Sequence, residues 1–151
     1  MADTILSVQQ VVREYGEHVR TLALAGVDLI LHQGEFAALM GPSGSGKSTL
    51  LNIVGLLDRP TSGRVILAGT DSSRLDERAL TAFRARMLGF VFQFHHLLPA
   101  FTALENVMLP EWADRGFETP EMRARAEAIL DAVGLSDRAQ FKSTDLSGGQ
   151  Q

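Results

Sequence analysis

Eight consecutive residues, Gly41-Pro42-Ser43-Gly44-Ser45-Gly46-Lys47-Ser48, constrain this chain more than any others. They fit the pattern G-x-x-x-x-G-K-[ST], a loop that wraps its backbone around phosphate oxygens. The glycines let successive N–H groups turn inward, and a helix beginning near Lys47 adds the positive end of its dipole to the same anion site. The flanks agree with this. Residues 36–40 (Phe-Ala-Ala-Leu-Met) are a short unbroken apolar run, expected as a strand buried on both faces, and residues 47–57 read as a helix. In that setting Gly41, Ser43, Gly44, Ser45, Gly46 and Thr49 are expected to line a nucleoside triphosphate. Lys47 would bridge its β- and γ-phosphates, and the Ser48 hydroxyl would ligate Mg²⁺. A Gly/Ser-rich hairpin beside a lysine is the bland alternative, and the order strand, loop, helix argues against it. The motif alone does not separate transporters from kinases, GTPases or helicases.

Around the loop the chain is β-rich first, then mixed, then helical. Residues 5–12 are apolar and β-branched, residues 27–31 alternate before a turn at Gly34, and Thr61-Ser62-Gly63 is a turn before a strand over 64–68. Leu75, Ala79, Phe83 and Met87 lie four apart on one face of a helix, and residues 88–93 return to strand. Residues 104–112 are expected to be helical. Met122, Ala126, Ile129, Leu130 and Val133 mark the buried stripe of a further helix, with Thr119 as N-cap, Pro120 at its first position and Gly134 as its stop. The pattern predicts an α/β core carrying a helical arm.

Composition sets limits on function. With 151 residues, 45% hydrophobic and 21% charged, the chain is long enough for a real core and has the make-up of a soluble globular protein. A net charge of −4 gives no sign of a nucleic-acid-binding face. The absence of cysteine excludes disulfides and thiolate metal sites and leaves a reducing cytoplasm as the simplest home. The N-terminus lacks the pattern of a secretory signal. The longest stretch free of Asp, Glu, Lys and Arg, residues 87–104, holds Gln93, His95, His96, Pro99 and Thr102, which argue against a membrane span. Adjacent His95 and His96 without an Asp, Glu or Cys cluster do not make a metal site. Contact with a membrane would run through a partner.

Downstream stands Leu146-Ser147-Gly148-Gly149-Gln150, also at an expected helix start. Alone, Ser-Gly-Gly is as well read as a flexible turn. After a phosphate-binding loop, it matches the signature of ABC-type ATPases in full, and the chain resembles that family over almost its whole length. The implied fold is a P-loop NTPase of ABC ATPase type: residues 1–93 forming part of the nucleotide-binding core, 94–151 the helical arm and signature. The resemblance implies that Ser147, Gly148, Gly149 and Gln150 face the ATP of a second copy in a homodimer. A serine and glycine N–H groups at a helix start are chemically suited to a γ-phosphate. It also implies that Tyr15 stacks on adenine and that Gln93 reaches Mg²⁺ or the attacking water. A strand-end tyrosine and a surface glutamine remain the plain alternatives.

Within the family, Gln93-Phe94-His95-His96-Leu97-Leu98-Pro99-Ala100-Phe101-Thr102-Ala103-Leu104-Glu105-Asn106-Val107 is similar to ATP-binding subunits of lipoprotein-releasing (Lol) transporters of Gram-negative bacteria. Gly55-Leu56-Leu57-Asp58-Arg59-Pro60-Thr61-Ser62-Gly63 fits a broader group that includes macrolide exporters and a cell-division ATPase. The resemblance implies a peripheral subunit on the cytoplasmic face of the inner membrane, joined to integral membrane subunits and not to nucleic acid. Leu97, Leu98 and Phe101 are candidates for the groove that receives a membrane subunit, or else pack beneath the helical arm. Family members continue past the signature into a strand that ends in a Mg²⁺-binding Asp and a catalytic Glu, with a switch His later. No position here carries those roles. The chain is therefore expected to be the front part of such a subunit, its core incomplete, prone to instability and unable to hydrolyse ATP by itself. A short ATP-binding module that does not hydrolyse is the alternative from another class.

Overall fold

The structure, a computed structural model, describes residues 3–16, 18–94 and 96–151, and these divide into two compact units, one ending at Phe90 and one beginning at Val91. His95 lies outside the described residues. No helix among them is long and apolar enough to cross a membrane.

The first unit is built on a four-stranded antiparallel sheet in the order β2-β1-β3-β4, from β1 (Thr4–Tyr15), β2 (Thr21–His32), β3 (Ser62–Leu67) and β4 (Thr70–Asp71). Leu6 and Val8 alternate inward, but the next buried residue is Val11, one position out of phase. A bulge at Gln10 explains the shift: its φ is 46°, and the Asp28 carboxylate accepts its N–H at 2.8 Å. The bulge keeps both halves of a long strand facing one core. Helix α1 (Lys47–Val54) buries Leu50 and Ile53, and α2 (Glu77–Met87) adds Leu80. These join Leu6, Val8, Val11, Leu24, Leu56, Val65 and Leu67 in one cluster. Asp76 caps α2 by accepting the Ala79 N–H at 2.8 Å.

The second unit pairs α3 (Ala103–Arg115) with α4 (Pro120–Ala132) around Leu104, Met108, Met122, Ala126, Leu130 and Leu146. Thr102 and Glu105 form a capping box at the start of α3. At the start of α4, Thr119 accepts the Met122 N–H and Pro120 opens the first turn. Gly134, at φ 72°, ends α4 in a Schellman arrangement: Leu135 N–H donates to Leu130 O at 2.8 Å and Gly134 N–H to Asp131 O at 2.9 Å.

The sequence pattern misplaces several residues. Residues 36–40 and 88–93 are not strands, and Phe36 is 95% exposed. An apolar run of this kind becomes a strand only when neighbours on both sides take up its N–H and C=O groups, and none of the described strands pairs with either segment. Met87, Ile129 and Val133 are exposed. On α2, Leu80 is the buried residue, with Leu75, Phe83 and Leu88 packed beside it. On α4 the apolar stripe is wider than its contact with α3, so its Ile129 edge stays open, and Val133 lies past the last helical residue.

Candidate functional site

The loop over residues 41–48 follows the irregular segment 36–40 and enters α1 at Lys47. Gly44 and Gly46 both take left-handed φ values, 78° and 87°. Gly46 carries a second constraint, because a Cβ there would lie 2.6 Å from the Ala23 carbonyl oxygen of β2. Only glycine lets the loop turn into the helix while lying against that strand. No side chain caps the start of α1, and no acidic residue stands in its first turn. The first amides of the helix therefore remain donors for an external anion, with the helix dipole reinforcing them.

Lys47 is half-buried and folds back across the loop. Its Nζ donates to Gly41 O at 2.8 Å, to Pro42 O at 2.6 Å and to Ser45 Oγ at 3.4 Å. The ammonium is thus held against the loop by three of the loop's own oxygens. Ser48 is exposed, and its hydroxyl makes no hydrogen bond among the described residues, which leaves it free to ligate a cation. The donor set fits a magnesium-bound triphosphate: bare amides and an ammonium for the anion, a free hydroxyl for a hard cation.

Tyr15 ends β1 in the same unit, 39% exposed. Its hydroxyl donates to Asp58 Oδ2 at 2.9 Å, and the Arg13 guanidinium carbon lies 4.4 Å from its ring centroid. Arg13 also pairs with Asp58 Oδ1 at 2.9 Å. The sequence assigned no role to Arg13 or to Asp58, although Asp58 lies in the stretch 55–63 that carries part of the resemblance. Asp58 is 43 residues from Tyr15, so no local periodicity could link them.

Gln93 and the signature belong to the second unit. Gln93 is exposed. Ser147 O accepts from Gln150 N–H at 2.8 Å and Gln151 N–H at 3.0 Å, the bonding of a first helical turn, and the Gln150 side chain accepts the Ser147 N–H at 3.0 Å. Buried Leu146 anchors this turn in the helical core, while Ser147, Gly148 and Gly149 face solvent. The segment before α3 is held by a residue the sequence reading passed over: Asn106 Nδ2 donates to Leu98 O, Phe101 O and Thr102 O. Ser143 Oγ adds a bond to Leu98 O at 3.2 Å. Leu98 is exposed, whereas Leu97 and Phe101 are half-buried, Phe101 edge-on to Trp112 at 6.4 Å. Among the described residues no group of His, Asp and Glu could hold a metal by itself.

Residues 24–151 match the ABC transporter family. The chain belongs to that family. It is 61% identical over 133 residues to the lipoprotein-releasing system ATP-binding protein LolD of Anaeromyxobacter dehalogenans, and 52% identical over 153 residues to LolD 1 of Rhodopseudomonas palustris. These alignments cover 88% and 100% of this ABC chain and 56% and 67% of the two relatives, so it spans little more than half to two thirds of their length. Among solved structures, a dimeric ATP-binding cassette, MJ0796, in a post-hydrolysis state bound to ADP and Pi superposes with a TM-score of 0.84 at 43% identity. That match covers 96% of this chain and 64% of the cassette. The α/β ABC ATPase fold expected from the sequence is thereby established.

Proposed function

We propose that this chain is the nucleotide-binding front part of an ATP-binding subunit that powers release of lipoproteins from the bacterial inner membrane. The observation that carries the nucleotide half is the uncapped, acid-free start of α1 beneath Lys47. The names of relatives at 52% and 61% identity support lipoprotein release over macrolide export or cell division.

In this reading the amides of residues 43–49 and Lys47 hold the β- and γ-phosphates, with Gly41, Ser43, Gly44, Ser45, Gly46 and Thr49 shaping the cradle. Tyr15 supports the adenine ring. The Ser48 hydroxyl would ligate Mg²⁺, which would supply charge neutralisation at the transferring phosphoryl group, and the family resemblance gives Gln93 a role toward Mg²⁺ or the attacking water. Ser147, Gly148, Gly149 and Gln150 serve the ATP of a second copy, and the dimeric state of the similar cassette supports that assignment. Leu98, Phe101 and the shallow apolar groove of about 270 Å³ lined by Phe101, Leu109, Trp112, Ala113 and Gly116 suit an apolar helix of a membrane subunit. The subunit then works peripherally on the cytoplasmic face.

The test is depletion in the source cell. Lipoproteins are expected to accumulate in the inner membrane, and the wild-type gene, but not the Lys47→Ala version, restores their export. Normal lipoprotein sorting under full depletion contradicts the reading.

A further inference from the structure

Tyr15 can support a nucleobase only if its ring is held at a fixed place relative to the phosphate cradle, and the first unit contains the parts that hold it. Two contacts fix the ring. The Arg13 guanidinium covers one face at 4.4 Å, and the hydroxyl is tied to Asp58 Oδ2 at 2.9 Å. With one face covered and the residue as a whole 39% exposed, Tyr15 still presents surface to a ligand. Asp58 is itself secured on three sides. Its other oxygen takes the Arg13 ion pair at 2.9 Å and the Arg59 N–H at 2.8 Å. Its own N–H donates to Asn52 O, in α1, at 3.2 Å. The helix whose first turn receives phosphate therefore carries, just past its other end, the carboxylate that sets the aromatic.

Arg13 carries a cost in this arrangement: its Nε is buried with no hydrogen-bond partner among the described residues. An orphan donor of this kind calls for a compensating role. Its contacts with the ring and the carboxylate supply one.

We propose that Asp58 and Arg13 are positioning residues for nucleobase recognition, locking Tyr15 into a one-sided platform whose distance from the phosphate loop is set through α1. The proposal rests on the reading of Tyr15 as the base-stacking residue and deepens it. A ring already immobilised loses less rotamer entropy when a base stacks on it, so the lock raises affinity for the base and not for the phosphates. Conversely, loosening the lock removes base affinity alone.

The experiment measures equilibrium binding of Mg·ATP and of Mg·tripolyphosphate, which lacks base and ribose, to the complete protein. Four forms are compared with wild type: Tyr15→Leu, Tyr15→Phe, Asp58→Asn and the Tyr15→Phe/Asp58→Asn pair. Tyr15→Phe keeps the ring and the whole of Asp58, so it tests the lock even where Asp58→Asn disturbs folding. Tyr15→Phe and Asp58→Asn are each expected to weaken ATP binding roughly three- to tenfold, the net scale of one ordinary hydrogen bond, and to leave tripolyphosphate binding unchanged. The pair should lose less than the product of the two single losses, since both variants act on the same hydrogen bond, with Asp58→Asn also weakening the Arg13 ion pair. Unchanged ATP binding in Tyr15→Phe overturns the proposal, as do equal losses for both ligands or losses that multiply in the pair. Unchanged ATP binding in Tyr15→Leu overturns the stacking reading itself, a separate outcome from failure of the lock.

Discussion

At the scale of single residues, the loop from Gly41 to Ser48 owes its shape to a few positions that tolerate no substitute. Gly46 combines a φ of 87° with a carbonyl oxygen 2.6 Å from where a Cβ would stand. Gly46→Ala is expected to destabilise the first unit by about 1–3 kcal/mol through backbone strain and to weaken Mg·ATP binding in parallel, seen by denaturant melts and calorimetry. The loop motif was legible from the sequence because its residues are contiguous, and the pattern demands glycine at Gly46, where the backbone takes a φ of 87°. The environment of Tyr15 was not legible. Arg13 stands two residues before it on the same strand, and Asp58 is brought to it by the turn after α1 from 43 residues away, a link no local pattern marks.

At the scale of elements, helix ends were the most readable feature. Thr119, Pro120 and Gly134 do at α4 what their side chains and backbone freedom dictate. At α3 the capping box has an electrostatic consequence. The Thr102 N–H, at 2.7 Å, and then its hydroxyl, at 3.0 Å, donate to the Glu105 carboxylate and hold its pKa below the usual glutamate range. With the folded value below the unfolded one, this contribution to stability is complete above the ordinary glutamate pKa and fades as pH falls through the folded value. Glu105→Gln should therefore be less stable than wild type near neutral pH, with the gap closing in acid. Thr102→Ala should cost about 0.5–2 kcal/mol at neutral pH. Urea melts across the pH range check both. A gap that persists unchanged in strong acid would mean that the carboxylate charge is not what the cap holds.

Strands showed the opposite behaviour. Residues 5–12 and 27–31 were readable as strand because they are apolar, and they fall within β1 and β2, but neither the start of β2 at Thr21 nor the pairing of the two was marked. Residues 36–40 carry the same apolar signal, yet a strand is a property of a pair, and the pairing is not written in the segment itself. The Gln10 bulge escaped notice for a related reason. It depends on Asp28 reaching across from the next strand.

At the scale of the whole molecule, each unit has its own apolar cluster, and each should respond to a cavity of its own. Ile53 is 0% exposed in the first cluster and Leu104 1% exposed in the second. Ile53→Ala and Leu104→Ala are each expected to cost about 2–5 kcal/mol, by lost burial plus an unfilled void, measured as the shift in chemical unfolding. A shift under about 0.5 kcal/mol at either position would mean that the site collapses freely or is not core in solution.

The claim on which the rest depends is that the loop before α1 is a nucleoside triphosphate site worked by Lys47. Titration calorimetry of Mg·ATP against wild type and Lys47→Ala tests it most directly. Removing an ammonium that meets phosphate oxygens is expected to weaken binding about ten- to a hundredfold, while the variant keeps the wild-type melting profile. Equal affinity in the two proteins, or no ATP binding to wild type, would contradict the assignment of this loop.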